Sequence, residues 1–166
     1  MRHALFALAL TAGSAAAQDD FAAAQASVDV ILAAAMDECR AAVVGDPQAP
    51  EPELVVEPPA VTWVDLDGED YRNDVVLDFN HVLCSLNFSL WHGTGGSLIH
   101  LITSDGRVGT WTGGLWRMDS FGGRPLVLIG RHGGRCDGYG AQPCVEAVSV
   151  FEDGFSTIRP AEDDPR

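Results

Sequence analysis

Ser97-Leu98-Ile99-His100-Leu101-Ile102-Thr103-Ser104-Asp105-Gly106-Arg107-Val108-Gly109-Thr110-Trp111 reads as two β-type runs on either side of an Asp-Gly pair. Asp-Gly between two such runs is a strong hairpin signal, so the two runs are expected to fold back as antiparallel neighbours. Similar runs recur over residues 61–66, 74–79, 82–91, 115–119, 126–131 and 145–151, with a last one near 155–158. Gly113-Gly114 reads as a further turn. Connections this short favour antiparallel pairing over parallel crossovers. In the run 82–91, Val82, Cys84, Leu86, Phe88 and Leu90 alternate with Leu83, Ser85, Asn87, Ser89 and Trp91, which puts Cys84 on a buried face.

Upstream the period changes. Phe21, Ala24, Val28, Ile31, Leu32, Ala35, Cys39 and Val43 recur at spacings of three and four, which predicts one amphipathic helix within residues 18–45. Asp19 and Asp20 suit its start and Arg40 its end, with Gly45 and Pro47 as stop signals. Residues 46–60 hold five prolines and four acids around Leu54-Val55-Val56, and read as an extended connector lying as a strap on the domain. The expected architecture is α+β: one N-terminal helix packed on an antiparallel sheet of about six to eight strands. The β-rich domain covers 61–159, and 160–166 is a frayed tail.

Residues 1–17 have a charged start, a short apolar middle and the small residues Gly13-Ser14-Ala15-Ala16-Ala17, as in a secretory leader cleaved near Ala17. The apolar part is too short for a stable membrane span, so no stable membrane insertion is expected and the mature chain should be periplasmic or secreted. In that setting Cys39, Cys84, Cys136 and Cys144 are expected to form two disulfides. Cys136 and Cys144 flank a turn-rich loop; Cys39 and Cys84 both face inward, so this pair would tie the helix to the sheet.

The chain has 166 residues, 24 acids and 10 basic residues, every one of them Arg, for a net charge of −14. The absence of lysine excludes Schiff-base and phosphate-loop lysine chemistry. Residues 18–78 carry 15 acids against 2 Arg, while 79–166 carry 9 acids against 7 Arg. Such a field repels phosphate and attracts cations or basic proteins, so a nucleic-acid partner is not expected.

The acids concentrate in Val64-Asp65-Leu66-Asp67-Gly68-Glu69-Asp70-Tyr71-Arg72-Asn73-Asp74-Val75-Val76-Leu77. This stretch resembles the Asp-rich turn of FG-GAP and VCBS-type repeats, in which a strand enters an acidic turn and a hydrophobic strand returns. The resemblance implies a Ca²⁺ site, with Asp65 and Asp67 matching its first acids, Asp74 the acid before the return strand, and Glu69 standing in for a third. Gly68 falls earlier than in that pattern, Asp70 replaces its later Gly, and one copy cannot assemble a repeat propeller. The bland alternative is a solvated acidic hairpin.

Other motifs fall short of known chemistry. Gly93-Thr94-Gly95-Gly96-Ser97 lacks the Lys and the following helix of a phosphate cradle, and Ser97 is not in a nucleophile elbow. His92 and His132 end strands ahead of glycines, so a hydrolase would need them to converge. Trp111, Trp116, Arg131 and Tyr139 are candidate interaction residues, since Trp and Arg anchor interfaces. The resulting expectation is an exported, non-catalytic binding or structural module of the bacterial envelope. It has no cofactor unless Ca²⁺, and its partner is a basic envelope or secreted protein; a Ca²⁺-binding protein and an envelope hydrolase are the alternatives.

Overall fold

The computed structural model describes residues 16–42, 50–140, 142 and 144–158. Most of the expected leader, the helix stop signals, the front of the connector and the tail 160–166 lie outside the described residues. Helix α1 spans Ala16–Ala41. Strand β1 (Leu54–Val56) follows, then β2 (Val61–Val64), β3 (Asp74–Asp78), β4 (Val82–Cys84), β5 (Ser97–Ile102), β6 (Val108–Gly113), β7 (Leu115–Phe121), β8 (Arg124–Arg131), β9 (Cys144–Phe151) and β10 (Gly154–Ile158).

These ten strands divide among three antiparallel sheets: a β1-β4 pair, a sheet ordered β2-β3-β5-β6, and a sheet ordered β10-β9-β8-β7. The α+β architecture is the expected one, but the strands do not share a single sheet. The reason lies at Gly113-Gly114, which is a corner between sheets and not a hairpin. The Gly114 N–H donates to Gly130 O on β8 at 3.0 Å, and a side chain on Gly113 would start 2.9 Å from that same carbonyl. Only a residue without a Cβ lets the two sheets approach so closely.

The layers follow from strand alternation. On β3, Val75 and Leu77 face α1 and pack with Ala24, Val28 and Ala35, while Val76 faces the other way. There it joins Val64, Leu66, Ile99 and Leu101 against Val127, Ile129, Val148 and Val150 of the second sheet. The β2-β3-β5-β6 sheet is therefore the middle layer, which explains why β3 is buried along its whole length. Alanines on the α1 stripe let the helix approach closely.

Both disulfides pair as expected. Cys39 on α1 joins Cys84 on β4 with Cα atoms 5.5 Å apart, and Cys136 joins Cys144. The connector is a strap from Pro50 onward: Leu54, Val55 and Val56 pair with Cys84, Leu83 and Val82. The long strand expected over 82–91 is corrected, because the ladder stops at Cys84. The strap offers only three partners, and successive turns follow, with Asn87 N–H donating to Cys84 O and Leu90 N–H to Asn87 O. Two further hairpins complete the second sheet: Gly122-Gly123, both with positive φ, joins β7 to β8, and Glu152-Asp153 joins β9 to β10.

Candidate functional site

The acidic turn leaves β2 at Val64 and re-enters the sheet at Asp74, which is opposite Val64 in the ladder. Its shape comes from its own carboxylates. Asp65 accepts the N–H groups of Gly68 at 2.7 Å and Asp70 at 3.1 Å, and Asp67 accepts that of Glu69 at 3.2 Å. Gly68 and Asp70 take positive φ, which Gly and Asp adopt at least cost. Asp74 is fully buried and accepts Leu66 N–H at 2.6 Å and Ser104 N–H at 2.7 Å. One carboxylate thus pins the acidic turn to the β5-β6 hairpin.

This folding brings Asp65, Asp67 and Asp74 together, with one carboxylate oxygen of each lying within 4.8 Å of the others. Burial pushes Asp74 up to about 6, against the pull of its two backbone donors and helped by the charges of Asp67 and Asp65. Burial, with Asp65 beside it, also raises Asp67. Glu69, expected in the same set, is exposed and does not join it. Asn73, immediately before Asp74, is buried, and its Oδ1 accepts no hydrogen bond among the described residues.

Asp67 and Glu69 instead form one wall of an open cleft of about 690 Å³, whose other walls include Arg107, Arg124, Glu152 and Asp153. Both arginines are held by their own chain. Arg107 pairs with Asp105 at 2.8 Å and donates to Phe151 O at 2.9 Å. Arg124 lies over the Phe151 ring, 4.5 Å from its centroid. The four acids make no ion pair among the described residues. Glu152 and Asp153, in the β9-β10 turn, had no signal in the sequence linking them to the distant acidic stretch.

The expected interaction residues separate. Tyr139 stands in solvent at 72% exposure. Trp111 and Trp116 are half-buried against the core between the sheets, Trp111 edge-on to Phe155. Arg131 is mostly covered, with its side chain 9% exposed, ion-paired with buried Glu146 and donating to Thr112 O at 3.1 Å. Glu146 alternates with Val148 and Val150, so its inward position was readable; a buried carboxylate then requires a partner.

The histidines serve local structure. His92 Nε2 is 2.8 Å from Phe79 O, His100 Nδ1 is 2.9 Å from Thr110 Oγ1, and His132 Nδ1 accepts from Gly134 N–H. Among the described residues no histidine belongs to a cluster of metal-ligating groups. No family model, curated protein or solved structure matches this chain, so the FG-GAP and VCBS-type likeness rests on residues 64–77 alone.

Proposed function

We propose that this protein is an exported, non-catalytic binding module of the bacterial envelope that takes a basic group of a partner protein into the cleft beside its acidic turn. The observation that carries this reading is the convergence of Asp67, Glu69, Glu152 and Asp153 on one cleft whose arginines are already engaged. An arriving guanidinium would meet carboxylates able to receive its forked donors. The two disulfides are compatible with an oxidising compartment, and no described helix is long and apolar enough to cross a membrane. The leader-like residues 1–17 support export.

The test is fluorescence anisotropy with a labelled hexa-arginine peptide and a glutamine peptide of equal length. The arginine peptide should bind and weaken as salt rises. A Glu69→Gln, Glu152→Gln, Asp153→Asn variant should lose about tenfold in affinity. Unchanged binding in that variant would sink the cleft reading.

A second reading is favoured by the Asp65, Asp67 and Asp74 geometry: a Ca²⁺ ion shared by the three carboxylates, with water completing its six to eight oxygens. A cation there would offset the burial, and the smaller mutual repulsion, that raise Asp67 and Asp74. Millimolar calcium should then raise the melting temperature of the wild type but not of an Asp65→Ala, Asp67→Ala variant. No shift in the wild type removes this reading and leaves the cleft untouched.

A further inference from the structure

Strand β7 has a partner, β8, on one side only, and with seven residues it is the longest edge strand among the described residues. Edge strands invite pairing, and proteins blunt them with charges, Pro or bulges. Here the charges on the outer face are Arg117 and Asp119, one of each sign, set one residue either side of Met118. Beyond them on the same face stand Leu115 and Phe121, three residues either side of Met118, at 78% and 81% exposure. The strand is therefore symmetric about Met118 in polarity and antisymmetric in charge.

We propose that a second copy of this chain pairs antiparallel along β7, with the two-fold axis at Met118, joining two four-stranded sheets into one of eight strands. In that register Arg117 of each copy faces Asp119 of the other, and Leu115 faces Phe121. Opposite charges and apolar pairs directly across a ladder both stabilise it. Within one chain Arg117 already reaches Asp119 at 3.4 Å, and Asp119 accepts the Ser120 N–H at 2.8 Å. In the pair, Asp119 turns to Arg117 of the second copy and releases the Ser120 amide to the ladder.

The same charges favour this register, because an antiparallel copy centred on Met118 presents Asp where the edge presents Arg and a slipped copy does not. Gly130, opposite Leu115, leaves a shallow hollow of about 300 Å³ bordered by Leu115, Leu128 and Val145, and Phe121 of the second copy arrives at its mouth. The interface is isologous, so it closes at two copies and leaves no β7 edge free to propagate.

Sedimentation velocity on the disulfide-intact protein, from roughly 1 to 200 µM, reads the association directly. The wild type should shift from monomer to dimer within that range. Arg117→Asp places two like-charged pairs across the axis, as does Asp119→Arg, and each should weaken dimerisation about tenfold or more. Mixing the two single variants restores opposite charges in a heterodimer, and the Arg117→Asp, Asp119→Arg double variant restores them in a homodimer. These exposed substitutions should leave the thermal melt of the monomer unchanged, which separates lost pairing from lost folding. A wild type monomeric throughout, single variants that dimerise like the wild type, or no recovery in the mixture would each overturn the proposal.

Discussion

His100 on β5 and Asp74 on β3 are buried titratable groups displaced in opposite directions. Burial lowers His100 from 6.5 to about 4 and raises Asp74 from 3.8 to about 6. Between pH 4 and 6.5 the unfolded chain binds a proton at His100 that the folded chain refuses, so this contribution to stability is present above 6.5 and lost as pH falls through 4. For Asp74 the folded chain keeps a proton that the unfolded chain releases. That contribution is present below 3.8 and lost as pH rises through 6. The two slopes oppose across the same window. Relative to wild type, the melting temperature of His100→Gln should therefore fall as pH rises from 4 to 6.5, and that of Asp74→Asn should rise from 3.8 to 6. Flat differences for both would show that neither group titrates as a buried one. His100 was readable as a strand-face residue beside Leu98 and Ile102. The pairing of Arg131 with Glu146 was not, because strand period assigns a face but does not name the charge waiting there.

At the scale of elements, α1 is held to the middle sheet by several contacts. Its alanine stripe packs on Val75 and Leu77, Phe21 lies 5.3 Å from the Trp63 ring, Ser27 Oγ donates to Gly106 O at 3.1 Å, and Cys39 is bonded to Cys84. An amphipathic helix depends on such packing more than on its own propensity. The disulfide closes a loop of 45 residues. By the chain-entropy model its removal in Cys39→Ala, Cys84→Ala should cost roughly 3 to 5 kcal/mol in urea unfolding. Hydrogen exchange should accelerate most in α1 and in the β1-β4 pair, and least in β8 and β9. Uniform acceleration would mean that the bond steadies the whole domain instead of the helix. The helix and the Cys39–Cys84 pair were legible because local period sets the facing of their residues, the strap because of its prolines, and the Cys136–Cys144 pair because a short turn-rich loop joins them. The run 82–91 misled because its alternation survives where there is no neighbouring strand to pair with.

For the molecule as a whole, three layers place the acidic turn of the middle sheet against the β9-β10 turn of the second. Charge counted along the chain located the negative field in residues 18–78, but the cleft also draws on Glu152 and Asp153, far beyond that segment. Sequence alone was enough for the helix, the Asp-Gly hairpin and the two disulfides, whereas of the four acids that the resemblance implies, Asp65, Asp67 and Asp74 lie together and Glu69 does not. The helix, hairpin and disulfides are encoded by spacing within a short segment or by the inward facing of a single residue. The division into two packed sheets, the cleft, the pairing of Arg131 with Glu146 and the open β7 edge came only from the assembled chain. Which layer lies opposite a buried face depends on how closely backbones can approach, as at Gly113, and that distance is a property of packing between segments far apart in sequence.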